Sequence, residues 1–216
     1  MAVTNFRAPW TVALAALAGV ALLAGRAAAQ ATVGGSAFGS YVNVLGVTTQ
    51  SPVATLPDTG GMAVGETDTF GVPSSIDAQW LAAVTSGAVD TAVSSAQSTS
   101  ELENVSILNG LITADNVTAI ASSDRNATGA ESGSDGSGFV NLVVTGVPMA
   151  SDVAPNTQLP LPGVGYVVLN EQQITGDGVS SSGITVNMIH VILQDVLTGL
   201  TTGEIIVGSA KSAVGS

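Results

Sequence analysis

The sequence predicts an all-β domain, a two-layer sandwich-like fold of short strands joined by long Gly/Ser/Pro loops. Three observations carry this. Val and Thr are abundant, and branching at Cβ favours extended backbone over helix. Charged residues make up 9% of the chain and hydrophobic residues 45%, the opposite of a disordered polymer. Short apolar runs recur between Gly, Pro and Asn-Gly punctuation, the spacing of a sandwich. A β-solenoid is the alternative, although no fixed-period repeat accompanies it.

The first element is not a strand. Arg7 precedes an apolar run over residues 10–25, and Ala27, Ala28 and Ala29 follow as a small-residue cleavage pattern. Residues 1–29 therefore read as an export signal, leaving 30–216 as one extracellular β-rich domain. A membrane span needs ~20 apolar residues, more than this run supplies. Arg26 lies close to the cleavage site, and if it impairs cleavage the signal itself becomes the anchor. The chain has no cysteine, which rules out a lipid-modified cysteine and a disulfide scaffold.

Residues 36–48 then read as a strand behind Gly34 and Gly35. Residues 49–76 hold Pro52, Pro57, Pro73 and Gly60-Gly61, and read as connection with one short strand. Residues 77–97 are rich in β-branched side chains and read as two strands turning at Ser86-Gly87. Asn109-Gly110 marks a hairpin, with strand continuing through residues 117–121. Residues 122–138 read as a loop, 139–145 as a strand and 155–162 as a connection. Strands follow at 166–170, 183–193 and 204–208. Strict alternation over 183–193 places Ile184, Val186, Met188, His190 and Ile192 on one face.

Charge narrows the partners. Without residues 1–29, Arg125 and Lys211 alone stand against 16 acidic residues. Two cations cannot neutralise a run of phosphates, so nucleic acid is excluded as a partner, as is electrostatic docking on anionic lipid.

Several blocks, in this order, resemble the choice-of-anchor P family of bacterial surface and secreted proteins. They are Gly35-Ser-Ala-Phe-Gly, Asn104-Val-Ser-Ile-Leu-Asn-Gly-Leu-Ile-Thr-Ala-Asp and Phe139-Val-Asn-Leu-Val-Val-Thr-Gly-Val-Pro. Pro155-Asn-Thr, Leu161-Pro-Gly-Val-Gly-Tyr-Val-Val-Leu-Asn-Glu-Gln, Ile184-Thr-Val-Asn-Met-Ile-His-Val and Ile206-Val-Gly-Ser-Ala follow. The resemblance implies an extracellular domain with variable attachment, no established activity and no catalytic residue. The last residues carry no apolar tail, which favours release over attachment.

Candidate sites are few. Asp124, Asn126, Thr128 and Asp135 have the spacing of oxygen ligands in a twelve-residue calcium loop, with Gly129 at its sixth position. Asp stands where the loop normally uses Glu, and no helices flank it, so an ordinary solvated loop is the stronger reading. His190, the single histidine, reads as a partly buried strand residue bonded to backbone. Glu101 and Glu103 share one face of a strand, as paired glycosidase acids would, and read better as an acidic strand edge. Leu56-Pro-Asp-Thr-Gly60 matches a wall-sorting pentapeptide but lies far from the C-terminus and reads as a turn. Asn104, Asn116 and Asn126 fit the N-glycosylation pattern, a chance match in so polar a chain.

The expectation is a secreted or cell-surface structural or interaction protein, not an enzyme, with an unidentified surface or matrix partner and no membrane span after signal cleavage. A calcium-dependent binding module and a secreted hydrolase using carboxylates are the alternatives.

Overall fold

The computed structural model describes residues 31–90 and 92–216; the expected signal lies outside them. Two antiparallel sheets pack as a sandwich-like domain, neither barrel nor solenoid, and no helix occurs among the described residues. Fourteen strands among the described residues form it. They are β1 (Thr32–Val44), β2 (Val47–Thr55), β3 (Gly61–Val72), β4 (Ile76–Val89), β5 (Ser94–Ile107), β6 (Ile112–Asn126) and β7 (Gly129–Gly133). Then come β8 (Gly138–Val140), β9 (Val143–Val144), β10 (Val147–Pro148), β11 (Thr157–Leu161), β12 (Gly165–Gly176), β13 (Ser182–Gln194) and β14 (Thr201–Gly215). One sheet runs β11-β12-β13-β14-β1-β2 and the other β10-β9-β6-β5-β4-β3, with β7 and β8 also paired to β6.

The strands are longer than the sequence predicts. Residues 49–76 are not connection: they form most of β2 and all of β3. Their prolines are accommodated because Pro52 sits on the edge strand β2, where a missing N–H costs no ladder bond, and Pro57 and Pro73 occupy turns. Likewise β4 runs through Ser86-Gly87 to Val89 instead of turning there. Gly87 is required by closeness: a Cβ there would lie 2.7 Å from Leu56 Cδ2 and 3.0 Å from the Ser95 carbonyl. The predicted loop 122–138 is largely a hairpin of β6 and β7, and 157–161 is strand β11. The predicted strand 139–145 is broken into β8 and β9. The hairpin at Asn109-Gly110 forms as expected, with Leu108, Asn109 and Gly110 all at positive φ and Ile107 facing Ile112.

The interior divides in two. Ile76, Ile107, Ile112, Leu142, Leu161, Leu169, Ile189 and Ile205 fill one half. The other half is lined by Ala, Ser and Gly, and there the sheets approach until hydroxyls bond between strands: Ser123 to Ser212 at 2.7 Å, Ser132 to Ser182 at 2.8 Å, Thr85 to Ser98 at 2.9 Å. Small side chains let the layers close, and paired hydroxyls remove the cost of burying them. Leu56 is buried in this half beside Val33 and Val214, and Pro57 to Gly60 form the expected turn, with a 2.8 Å bond from the Gly60 N–H to the Pro57 carbonyl.

Each sheet is interrupted along a transverse line. In the first, Asn170, Met188, Gly208, Gly39 and Pro52 on five successive strands drop out of the ladder at one level. Asn170 (φ 49°) and Gly208 (φ 68°) are left-handed there. In the second, Asp68 and Trp80 drop out of the β3–β4 ladder and Asn104 and Asp115 out of the β5–β6 ladder, the β4–β5 register shifts on either side of Gln79, and Trp80 and Asn104 are left-handed. Along such a line the in–out alternation of side chains resets. Ile184, Val186 and Met188 face the core, and so do Ile189 and Val191. The strict alternation predicted for 183–193 is therefore wrong: His190 and Ile192 share the outer face with Thr185 and Asn187.

Candidate functional site

On the outer face of the first sheet, His190 on β13 stands between two carboxylates. Its Nδ1 lies 2.9 Å from Glu171 Oε2 on β12, and its Nε2 lies 3.1 Å from Glu204 Oε2 on β14. Asn187 donates to the same Glu171 oxygen at 2.7 Å, and Ser209 Oγ donates to Asn187 Oδ1 at 2.7 Å. Five polar side chains thus tie three adjacent strands together. The imidazole is 15% exposed and the two carboxylates 33%.

Burial pushes the His190 pKa down, but bonds and charge from Glu171 and Glu204 outweigh it, and the net shift is upward. Glu171 moves down from the ordinary carboxylate value, chiefly because His190 bonds it. A protonated imidazole donates from both nitrogens and so satisfies both carboxylates at once; the neutral ring donates from one. The expected backbone partner for His190 is thus replaced by two acids. Glu171 and Glu204 escape a reading by sequence because they lie 19 and 14 positions from His190. A usable signal was present: Asn187 and His190 are the polar interruptions of the apolar run from Val186 to Leu193.

The calcium candidates do not form a loop. Asp124 and Asn126 lie on β6, Thr128 in the β6–β7 turn and Asp135 beyond β7. Asn126 Oδ1 accepts from the Thr128 N–H at 2.8 Å and from its hydroxyl at 2.6 Å, so both side chains close the turn. Asp124 and Asp135 do share a recess of about 350 Å³ with Glu131, which the sequence reading did not select. No group of three or more metal-ligating side chains is set to hold an ion among the described residues.

Glu101 and Glu103 share the outer face of β5, as expected, but β5 is an interior strand, so they form no sheet edge. Glu101 accepts a 3.0 Å bond from Asn116 Nδ2.

At one end of the first sheet, three turns present aliphatic side chains to solvent. They are the β1–β2 turn (Leu45, with Val47 at the start of β2), the β13–β14 loop (Val196, Leu197, Leu200) and the β11–β12 turn, where Pro162 is exposed and Val164 packs against the core. Leu45 is 84% exposed and Leu197 95%, with Val47, Val196 and Leu200 near 70%. A 3.5 Å bond from the Leu45 N–H to the Thr202 carbonyl joins the first two turns.

Compared with known proteins, the chain matches no family model, no curated protein and no solved structure. No helix among the described residues is long and apolar enough to cross a membrane.

Proposed function

We propose that this chain is an exported, non-catalytic β-sandwich that acts by contact at or near a cell surface. The aliphatic end of the first sheet carries the proposal. Five strongly exposed Leu and Val side chains on adjoining turns cost solubility and contribute nothing to the core, which fits a surface kept for a partner. The signal-like residues 1–29 and the resemblance to choice-of-anchor P proteins support an extracellular setting.

The test is retention of labelled protein on cells of the source organism. The double substitution Leu45→Ser, Leu197→Ser is expected to weaken retention at least tenfold, and undiminished retention overturns the proposal. Intact-mass measurement of protein recovered outside the cell tests export and places the cleavage site.

A further inference from the structure

We infer that the outer face of the second sheet binds an uncharged polysaccharide, along a row of side chains that includes Trp80. This surface is separate from the aliphatic end of the first sheet, and neither depends on the other.

The interruption of the second sheet makes the row. On β4, β5 and β6 the buried pairs Ala78 and Leu81, Leu102 and Val105, and Ala114 and Val117 each enclose two consecutive residues that are not buried. A regular strand would place one of each two on the inner face. Gln79-Trp80, Glu103-Asn104 and Asp115-Asn116 therefore stand side by side on the outside, and exposed Asp68-Thr69 on β3 extends the row. Four strands about 4.8 Å apart make it about 15 Å long. Every side chain in it is polar except Trp80.

Trp80 is the member that the fold does not account for. It is 42% exposed on an interior strand, and its backbone is left-handed at φ 36°. A bulky L side chain is disfavoured there, and neither core packing nor a turn requires one. The packed sheet sustains this strain while holding an aromatic ring against solvent, the mark of a residue kept for contact.

Its neighbours are held in place by bonds from one segment to the next. Asn104 Nδ2 donates to Gln79 Oε1 at 3.1 Å, Asn116 Nδ2 to Glu101 Oε1 at 3.0 Å and Asn141 Nδ2 to Asp115 Oδ2 at 2.6 Å. These bonds use amide hydrogens. The carboxylates of Asp68 and Glu103 and the Asn104 oxygen receive no bond among the described residues, so the row offers acceptors to a ligand rich in O–H donors. Past Asn116 the face opens into a recess of about 320 Å³, lined also by Thr118, Ser137, Ser151 and Asp152.

Chemistry narrows the occupant. Asp68, Glu103 and Asp115 repel phosphates, sulfates and uronates, and no cation offsets them: Lys211 is on the other sheet and Arg125 lies at the far end of β6 from Asn116. No three metal-ligating side chains converge on an ion among the described residues. Protein interfaces are depleted of Asp and Glu at their centres. Both β4 and β5 are paired on each side, so an added peptide strand finds no free ladder there. A neutral sugar chain matches what is present: its C–H faces stack on an indole, and its hydroxyls donate to fixed carboxylates and amides.

The test is native electrophoresis of the full chain in gels containing hydroxyethylcellulose, galactomannan, xyloglucan or amylopectin in turn. Retardation by at least one of these neutral polymers is expected, undiminished by added salt. Trp80→Gly suits the left-handed backbone and should weaken the affinity at least tenfold, while Trp80→Tyr keeps a ring and retains most of it. Urea unfolding checks that Trp80→Gly is folded; if it is not, Gln79→Ala takes its place with the same expected loss. Leu45→Ser, Leu197→Ser alters the other surface and should be retarded as the native chain is. Retardation by none of the neutral polymers, retardation by anionic alginate alone, or equal retardation of the native and substituted chains overturns the inference. So does salt-sensitive binding of oligolysine without binding of polysaccharide, which assigns the row to a cationic peptide.

Discussion

Asn187 and His190 stand three residues apart on β13, yet both reach the same oxygen, Glu171 Oε2, at 2.7 and 2.9 Å. In a regular strand they would face opposite sides of the sheet. The interruption at Met188, level with left-handed Asn170 and Gly208, turns them to one side. The outer-face network therefore depends on a backbone irregularity shared by neighbouring strands. Non-glycine residues held left-handed carry local strain, which the packed sheet sustains.

Stability should peak in mildly acidic solution. The His190 pKa is raised in the folded chain, so its contribution is complete below the ordinary value of 6.5 and is lost as pH rises through the raised value. The Glu171 pKa is lowered, so its contribution is complete above 4.5 and is lost as pH falls through the lowered value. Both are intact between about 4.5 and 6.5. Urea unfolding across pH is expected to show a maximum there, and a curve still rising above pH 7 would contradict the arrangement.

Substituting Glu171→Gln removes the acid that most raises the His190 pKa. His190 is the only histidine, so its imidazole signal in NMR is unambiguous. Its titration midpoint is expected to fall in Glu171→Gln, with about 1 kcal/mol of stability lost at pH 6, the scale of a partly exposed ion pair with one good hydrogen bond. Glu103→Gln, on the other sheet, should leave the midpoint unchanged.

Gly208→Ala should be among the more damaging single-methyl additions. The position has φ 68°, where an L side chain costs about 1–2 kcal/mol. The added Cβ would also lie 2.9 Å from Val117 Cγ1 on the facing sheet. A loss of about 2–3 kcal/mol in urea unfolding is expected from strain and overpacking together. Gly146→Ala isolates the first effect, since its φ is 79° but nothing lies within 4 Å of its Cβ; it should cost about 1 kcal/mol.

The all-β sandwich was legible because Val/Thr content and turn punctuation are local properties. Asn109-Gly110 and Pro57 to Gly60 were placed correctly for the same reason: each turn is determined by its own residues. Gly87 is not legible in this way, because a glycine needed for close approach to Leu56 looks like a turn glycine until the partner is known. The face that His190 takes is not legible either, because a period of two holds only along an unbroken ladder. The break needs Asn170, Met188, Gly208 and Gly39 aligned across four strands, a relationship spread over 170 positions of chain. The Glu171 and Glu204 contacts follow from that register, and no local motif announces them.

Asp124 and Glu131 are direct partners on β6 and β7, so two carboxylates face each other across the pair. Directly opposed like charges destabilise a sheet by about 0.2–1 kcal/mol. Glu131→Gln removes the repulsion and should raise stability by that amount in urea unfolding with a chelator present. Calcium distinguishes two accounts of the recess that Asp135 also lines. If the carboxylates merely repel, the gain is the same with and without millimolar calcium, which is the outcome expected here. If they hold a cation, the native protein gains stability in calcium by mass action, about 2.7 kcal/mol at 100 times the Kd, and Glu131→Gln becomes the less stable form. A reversal of sign between the two solutions would restore the calcium-dependent reading, with Glu131 in place of Asn126 and Thr128.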